Sequence, residues 1–326
     1  MKRRVFITRD LPGDFDEKLG REFEVEIYEK DEVIPREELL KRIKGMDGVI
    51  TLLTDKVDKE FFEAAGKSLK VVANYAVGFD NIDVEEATKR GIGVTNTPGV
   101  LTEPVGEYVI ALMFAVARRV VEGDRFVRAG KYHGWEPNLF LGSSVRGKVM
   151  GIIGMGRIGK WTARLACGLG MRTIYYSRSR VEDFELECGV EYKPMDDVLK
   201  EADVISISVP LTKKTRGMIG KDELNKMKKT VVLINTSRGP IVDEESLIEV
   251  LSKKKISGAG LDVFTDEKNV NPKLFALNNV VLTPHIASGT VEAREVMAQL
   301  ATDAVKMVLS GENLDNLVNK EVFGSK

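Results

Sequence analysis

Short apolar segments alternate with amphipathic helical segments along most of the chain. Strands of parallel sheets are apolar on both faces, and the connections between them are usually helices that cover the sheet. The alternation therefore predicts an α/β fold. In the first hundred residues the predicted strands are Val5–Thr8, Val25–Tyr28, Val49–Leu52, Val71–Asn74 and Gly93–Thr95, with helical segments such as Arg36–Ile43 and Val84–Arg90 between them.

A single long helix is predicted next, over Thr102–Val121. Thr102 suits its N-cap, and Pro104 suits its first turn, where a missing N–H costs little. Pro98-Gly99, just before this helix, is typical of a hinge or a domain boundary. A loop-like stretch rich in Gly, Ser and aromatic residues follows, from Lys131 to Gly147.

A second alternating series begins after that loop and contains six predicted strands, the number that a complete dinucleotide-binding sheet needs. The C-terminal helix, Val291–Leu309, carries apolar side chains such as Met297, Ala301 and Val305 on one face, so it is expected to pack against a core. The six strands are Val149–Ile153, Thr173–Tyr176, Val204–Val209, Val231–Asn235, Ile256–Asp262 and Val280–Thr283.

Length, charge and composition exclude several classes of protein. A length of 326 residues favours two domains, because single cores rarely grow beyond roughly 250–300 residues. A net charge of -1 argues against a nucleic-acid partner. The two cysteines match no common zinc spacing, so no metal site is expected. No apolar run approaches the ~20 residues that span a bilayer, and no signal-peptide core follows the N-terminus, so we expect a soluble, cytoplasmic protein.

A glycine motif follows the strand at 149–153 and precedes a helical run, which is the context that a dinucleotide-binding turn requires. Gly154 would make the tight turn, Gly156 would let the backbone approach a pyrophosphate, and Gly159 would let the helix pack close to the strand. The helix N-terminus would attract the phosphates. The predicted pyrophosphate-binding segment is Gly154-Met155-Gly156-Arg157-Ile158-Gly159.

The end of the next strand indicates which dinucleotide is bound. Enzymes that prefer NAD usually carry Asp or Glu there, for the ribose 2′-hydroxyl. This chain has Ser177, Arg178, Ser179 and Arg180 instead. Arginine forks pair with a 2′-phosphate, so the sequence favours NADP(H) as the cofactor, with NAD(H) possible if the two arginines are only solvated surface residues.

Polar side chains follow three of the predicted strands of the second series: Arg238, Glu267 and His285. The carboxyl ends of parallel strands are where such sheets bind ligands. Reduction of a 2-oxo acid needs a carboxylate anchor, a proton donor and a group that orients the donor. Arginine, histidine and a carboxylate are suited to these three tasks. The second histidine, His133, is interpreted as an ordinary loop residue.

These segments together resemble the D-isomer-specific 2-hydroxyacid dehydrogenases, over nearly the whole chain. Within that family the chain looks most similar to the glyoxylate/hydroxypyruvate reductases, particularly archaeal ones. The segments that carry the resemblance are Val149–Gly159, Asn235–Pro240, Gly258–Glu267 and Thr283–Ser288, together with Asn74–Asp83 and Asn96–Thr102 in the first part of the chain.

The resemblance implies roles for individual residues. Arg238, Glu267 and His285 match the catalytic triad of the family, and Arg238 and His285 would also contact the substrate. Val77 and Gly78 match the loop whose backbone N–H groups hold the substrate carboxylate. Asp262 matches the residue that contacts the nicotinamide amide. The remaining cofactor-lining positions would be Val209, Pro210, Thr236 and Ser237.

The resemblance also implies an organisation into two Rossmann-like or flavodoxin-like domains with parallel sheets. A discontinuous substrate-binding domain would combine residues 1–98 and 288–326, and a dinucleotide-binding domain would span 99–287. The family is usually dimeric through the cofactor domain and a loop arm, which corresponds here to about residues 120–147. Trp135 in that arm is expected either to reach a neighbour's substrate site or to pack in the dimer contact.

The sequence departs from the family pattern at two places: Lys268 replaces the usual proline after Glu267, and Glu103-Pro104 replaces the more usual Asp-Ala. Neither change removes a reacting group, so both are expected to affect the rate of turnover more than the chemistry.

Two alternatives to a reductase of glyoxylate or hydroxypyruvate stay open. One is a dehydrogenase of the phosphoglycerate type or for another D-2-hydroxy acid. The other is a dinucleotide-sensing protein similar to a corepressor, which the intact Arg, Glu and His set argues against.

Overall fold

A computed structural model describes residues 2–312 and 314–323 and divides the chain into two compact units. The first unit ends at Leu101 and resumes at Gly289, and the second spans Thr102–Ser288. Each unit contains a parallel sheet covered by helices, so the predicted α/β fold is confirmed.

The first unit is built on five parallel strands in the order β2-β1-β3-β4-β5. Its inner strands β3 and β4 are buried along their whole length, because helices cover both faces of the sheet. The elements are β1 (Arg4–Ile7), α1 (Phe15–Gly20), β2 (Glu24–Ile27), α2 (Arg36–Arg42), β3 (Gly48–Thr51), α3 (Lys59–Ala65), β4 (Val71–Asn74), α4 (Val84–Lys89) and β5 (Gly93–Thr95).

The second unit contains seven parallel strands in the order β12-β11-β10-β9-β6-β7-β8. The strand order reverses at β6, which is the position where sheets of this type bind ligands. The elements are α5 (Thr102–Ala117), α6 (Val120–Arg128), β6 (Val149–Ile153), α7 (Arg157–Gly168), β7 (Arg172–Tyr176), α8 (Glu182–Cys188), β8 (Glu191–Tyr192), α9 (Met195–Glu201), β9 (Val204–Ile207), α10 (Lys221–Lys226), β10 (Val232–Asn235), α11 (Glu244–Ser252), β11 (Gly258–Leu261) and β12 (Val280–Leu282).

The chain then returns to the first unit as α12 (Val291–Ser310). Met297, Ala301 and Val305 are buried on one face of this helix and pack against apolar residues of the first sheet such as Ile50 and Val71. The apolar face predicted for the C-terminal helix is therefore the face that is buried. None of the described helices is both long enough and apolar enough to cross a bilayer.

Two predictions about secondary structure were wrong. The long helix predicted over 102–121 is two helices, because Arg119 adopts a left-handed backbone conformation with φ 56°. The N–H of Ser143 donates to the carbonyl of Ala117 at 2.8 Å, so a distant segment satisfies the end of α5. The second sheet has seven strands rather than six, because β8 is a two-residue edge strand too short to show a periodicity.

Candidate active site

The glycine motif forms the tight turn between β6 and α7. Gly154 has φ 102°, and a Cβ there would lie 2.4 Å from the carbonyl oxygen of Ser208. A Cβ at Gly159 would lie 2.1 Å from the carbonyl oxygen of Gly154. Gly156, the N-cap of α7, is exposed, with no atom within 4 Å of an added Cβ. The turn thus fits a pyrophosphate: two glycines close it tightly and one leaves its backbone open.

The loop at 177–181 follows β7 and contains both predicted arginines. The guanidinium of Arg180 donates to both carboxylate oxygens of Glu185, with distances of 2.6–3.0 Å. The hydroxyl of the buried Tyr175 also donates to Glu185, at 2.6 Å, and accepts from the N–H of Val181 at 2.8 Å. Arg178 is exposed and has no ion pair among the described residues. The two arginines therefore have different surroundings, which the sequence did not indicate.

His285 lies in a turn directly after β12 and adopts φ 56°, a left-handed conformation that is uncommon outside glycine. Its Nδ1 lies 2.9 Å from Oε1 and 3.1 Å from Oε2 of Glu267. The His285 side chain is 24% exposed and that of Glu267 is 43% exposed, so the pair opens to solvent. A carboxylate on Nδ1 leaves Nε2 as the nitrogen that can face a ligand.

Asp262 holds the turn that carries His285. Its carboxylate is fully buried and accepts three hydrogen bonds: from the Thr283 hydroxyl at 2.6 Å, from the Ile286 N–H at 2.9 Å and from the Ala287 N–H at 2.8 Å. Tyr108 of α5 also bonds to Thr283, and burial raises the pKa of this tyrosine. Three bonds from residues on both sides of position 285 account for the left-handed turn.

Arg238 lies directly after β10, at the same edge of the sheet as His285 and Glu267. The side chain of Asn235 donates to the Arg238 carbonyl at 3.0 Å and closes the turn. A Cβ at Gly239 would lie 2.0 Å from the carbonyl carbon of Phe264, so the turn after β10 packs directly on the turn after β11 that leads to Glu267. Only glycine permits this approach.

The predicted cofactor-lining residues also lie at this edge. The Ser237 hydroxyl donates to the carbonyl of Val209, which joins the turn after β10 to the segment after β9. Thr236 is half-buried beside Ser237, and the exposed Pro210 accepts a hydrogen bond from Thr215 at 2.6 Å. The glycine motif, the residues after β9, β10 and β11, and the His285 turn thus occupy one edge of the second sheet.

Other candidate residues lie elsewhere. Val77 and Gly78 follow β4 in the first unit, at the carboxyl edge of its sheet, and both are half-buried. Trp135 is 82% exposed in the part of the arm that follows α6, and His133 is exposed two residues before it. Within the described part of the chain, no group of three or more His, Cys, Asp or Glu residues is arranged to hold a metal ion.

The chain is similar to known proteins over its whole length. Residues 110–287 match the family model described as D-isomer specific 2-hydroxyacid dehydrogenase, NAD binding domain. The chain is 51% identical to the glyoxylate reductase of Pyrococcus furiosus, over 99% of this chain and 97% of that protein. It is 51% identical to the glyoxylate reductase of Thermococcus litoralis, over 100% of this chain and 99% of that protein.

Solved structures give a consistent result. A protein from Thermus thermophilus superposes with a TM-score of 0.91 at 42% identity, covering 97% of this chain and 99% of that one. An NADPH-dependent glyoxylate/hydroxypyruvate reductase from Sinorhizobium meliloti, determined with NADP and malonate, superposes with a TM-score of 0.85 at 31% identity, covering 100% of this chain and 99% of that one.

Proposed function

The chain belongs to the D-isomer-specific 2-hydroxyacid dehydrogenases, NAD(P)-dependent oxidoreductases, and we propose that it reduces glyoxylate and hydroxypyruvate to the corresponding 2-hydroxy acids. The archaeal relatives at about 50% identity are glyoxylate reductases, and their similarity extends over the whole chain. This similarity to glyoxylate reductases favours glyoxylate and hydroxypyruvate over the phosphoglycerate alternative.

The observation that carries the proposal is the pairing of His285 with Glu267 at the edge where the glycine motif opens. When bound, the nicotinamide supplies hydride to the 2-oxo carbon. The imidazolium of His285 delivers a proton from Nε2 to the developing alkoxide, while Glu267 on Nδ1 orients the ring and stabilises its positive charge. Arg238 binds the substrate carboxylate through its fork and polarises the carbonyl.

The buried Asp262 acts in this mechanism as a positioning residue for the His285 turn, besides the nicotinamide contact predicted from the family pattern. Proton transfer depends on placing the donor within hydrogen-bond distance of the reacting oxygen. The left-handed conformation at His285 supports this reading, since such conformations persist only where surrounding bonds hold them.

NADPH is the proposed cofactor. The loop after β7 contains no carboxylate where NAD enzymes usually place one, and the exposed guanidinium of Arg178 is available for a 2′-phosphate. The carboxylate of Glu185 lies after this loop, but it is paired with Arg180. NADH remains the alternative cofactor, and a spectrophotometric screen of 2-oxo acids with both dinucleotides separates the two.

The cofactor is proposed to bind to the second unit, and the substrate carboxylate to the backbone N–H groups of Val77 and Gly78 in the first. A homodimer is proposed through the arm at about residues 120–147, which begins with α6. This arm exposes Tyr132, Trp135 and Leu141, and α6 has no buried residue although Val120 and Val127 are apolar. A face of this kind is typical of an interface.

The two histidines provide a direct test. His285→Ala is expected to lower kcat for glyoxylate by about 10²–10⁴-fold, because the proton donor is lost. The dissociation constant of NADPH, measured by fluorescence titration, is expected to stay the same. His133→Ala is the matched control and is expected to keep wild-type turnover. Near-wild-type reduction by the His285→Ala variant would contradict the assigned role.

A further inference from the structure

The loop at 75–79, directly after β4, is fixed by hydrogen bonds to three of its backbone carbonyls. We propose that Asn96 is a positioning residue that orients this loop to bind the substrate carboxylate, and that the segment after α12 holds Asn96 in place. The inference rests on the proposed function, because it assumes that the N–H groups of Val77 and Gly78 bind that carboxylate. It assigns a task to Asn96 and to the C-terminal segment, whose residues are far from the loop in sequence.

Three consecutive carbonyl groups of the loop each accept a hydrogen bond from a different donor. The carbonyl of Ala76 accepts from the N–H of Thr97 at 2.8 Å. The carbonyl of Val77 accepts from the side-chain amide of Asn96 at 2.8 Å. The carbonyl of Gly78 accepts from the side-chain amide of Asn74 at 2.9 Å. All three carbonyls are thus fixed by neutral donors of the same unit.

Fixing the carbonyls also fixes the N–H groups. In a planar trans peptide the N–H points opposite to the carbonyl of the same peptide. With the carbonyls of Ala76 and Val77 held by Thr97 and Asn96, the next two N–H groups point away from those donors. Among the described residues, no acceptor bonds to the N–H of Val77 or of Gly78. Two adjacent N–H groups without acceptors form a concavity suited to an anion.

Asn96 is in turn held by the segment that follows α12. The side-chain amide of Asn316 donates to the Asn96 carbonyl at 2.8 Å, and the N–H of Asn96 faces the Asn316 carbonyl at 3.4 Å. Leu317 pairs with Thr95 in an antiparallel bridge. The buried Asn319 accepts from the N–H of Val94 at 2.8 Å. The C-terminal segment therefore fixes β5 and the residue after it, and through Asn96 it fixes the Val77 carbonyl.

Asn96 is a better test of this arrangement than Asn74. Asn74 is fully buried and also bonds to Thr51 and Asn81, so its replacement would disturb a larger network. Asn96 is half-buried, and its side chain makes a single bond in the described structure, to the Val77 carbonyl. A change at Asn96 therefore removes one restraint on the loop and little else.

The experiment compares two substrates that differ in charge. Glyoxylate carries a carboxylate, and its methyl ester does not. Asn96→Ala is expected to lower kcat/KM for glyoxylate by about five- to tenfold, mainly through KM, while kcat/KM for methyl glyoxylate and KM for NADPH change less than twofold. The ratio between the two substrates is the readout, because general loosening of the fold would lower both values together.

Two further variants sharpen the test. Asn316→Ala is expected to lower the same ratio by a smaller factor, since it acts through Asn96. Lys320→Ala, in the same segment but without a hydrogen bond to the loop among the described residues, is the matched control and should leave the ratio unchanged. Equal losses for both substrates in Asn96→Ala, or no loss for either, would overturn the proposal.

Binding of oxalate provides a readout that does not depend on turnover. Oxalate is expected to bind the NADPH complex of the Asn96→Ala variant more weakly than that of the wild type, by a similar factor, as measured by calorimetry. Failure of the wild-type enzyme to reduce glyoxylate would contradict the proposed function, and unchanged oxalate affinity in the variant would contradict this inference separately.

Discussion

The loops that follow β4 and β7 are fixed by different kinds of bond. The 75–79 loop in the first unit is held by neutral amides, with the side chains of Asn74 and Asn96 donating to its carbonyls. The 177–181 loop in the second unit is held by charge, with Arg180 paired to Glu185 and the Tyr175 hydroxyl bonded to both the loop and Glu185. Both loops follow strands of parallel sheets.

The difference matches the two ligands that we propose. Neutral amides fix the 75–79 loop without placing an anion of their own there, so two N–H groups remain available to a small carboxylate. An ion pair fixes the 177–181 loop by balancing the charge of Glu185, which would otherwise repel a 2′-phosphate. In each loop, the stabilising bonds thus leave the local electrostatic potential favourable to the anionic group of the proposed ligand.

Among changes to these two loops, the largest effect is expected from replacing the two arginines of the 177–181 loop one at a time. Arg178→Ala should lower the selectivity for NADPH over NADH by about 10–100-fold, because a charge-assisted fork to the 2′-phosphate is lost. Arg180→Ala should lower it by less, since its fork is occupied by Glu185. Calorimetry with 2′,5′-ADP and AMP measures the same difference in affinity without turnover. Equal losses of selectivity in the two variants would contradict the different roles given to Arg178 and Arg180.

A moderate effect is expected from Glu185 itself. In the Arg180→Ala variant the unpaired Glu185 carboxylate should lower NADPH selectivity by about three- to tenfold through repulsion. Adding Glu185→Gln to that variant should restore most of the selectivity, although no arginine has been returned. A double variant that stays as impaired as Arg180→Ala would mean that Arg180 contacts the phosphate directly.

The smallest effect concerns pH. Hydrogen bonds from Arg180 and Tyr175 lower the pKa of Glu185, and burial raises the pKa of Tyr175 to about 12, so the tyrosine remains a donor. A carboxylate with a lowered pKa stabilises the fold fully above its ordinary pKa, about 4.3, and this stabilisation is lost as the pH falls below that value.

The Tm difference between wild type and Glu185→Gln, about 1–3 °C at pH 7, should therefore shrink as the pH falls through 4. The corresponding difference for Asn96→Ala should not depend on pH, since no titratable group is involved. Differential scanning calorimetry from pH 3 to 7 measures both, and a pH-independent difference for Glu185→Gln would rule out the ion pair as a stabilising contact.

Motifs of fixed spacing could be predicted from the sequence, because the residues that act together in them are also neighbours along the chain. The glycines at 154, 156 and 159 serve a turn and a helix start within six residues, and the structure places them there. The alternation of apolar strands and helices predicted both sheets for the same reason. Arg119 and β8 escaped prediction, because a left-handed residue and a two-residue edge strand leave no periodic pattern.

The sequence by itself determined the family, the α/β fold and the residue types of the candidate site, since these depend on short motifs and on periodicity. Only the tertiary structure decided which residues are partners: Glu267 with His285, Asp262 with the turn around His285, Glu185 with Arg180, and Asn316 with Asn96. The last pair is separated by 220 residues. Such bonds depend on where strands end in a folded sheet, and spacing along the chain does not encode that position.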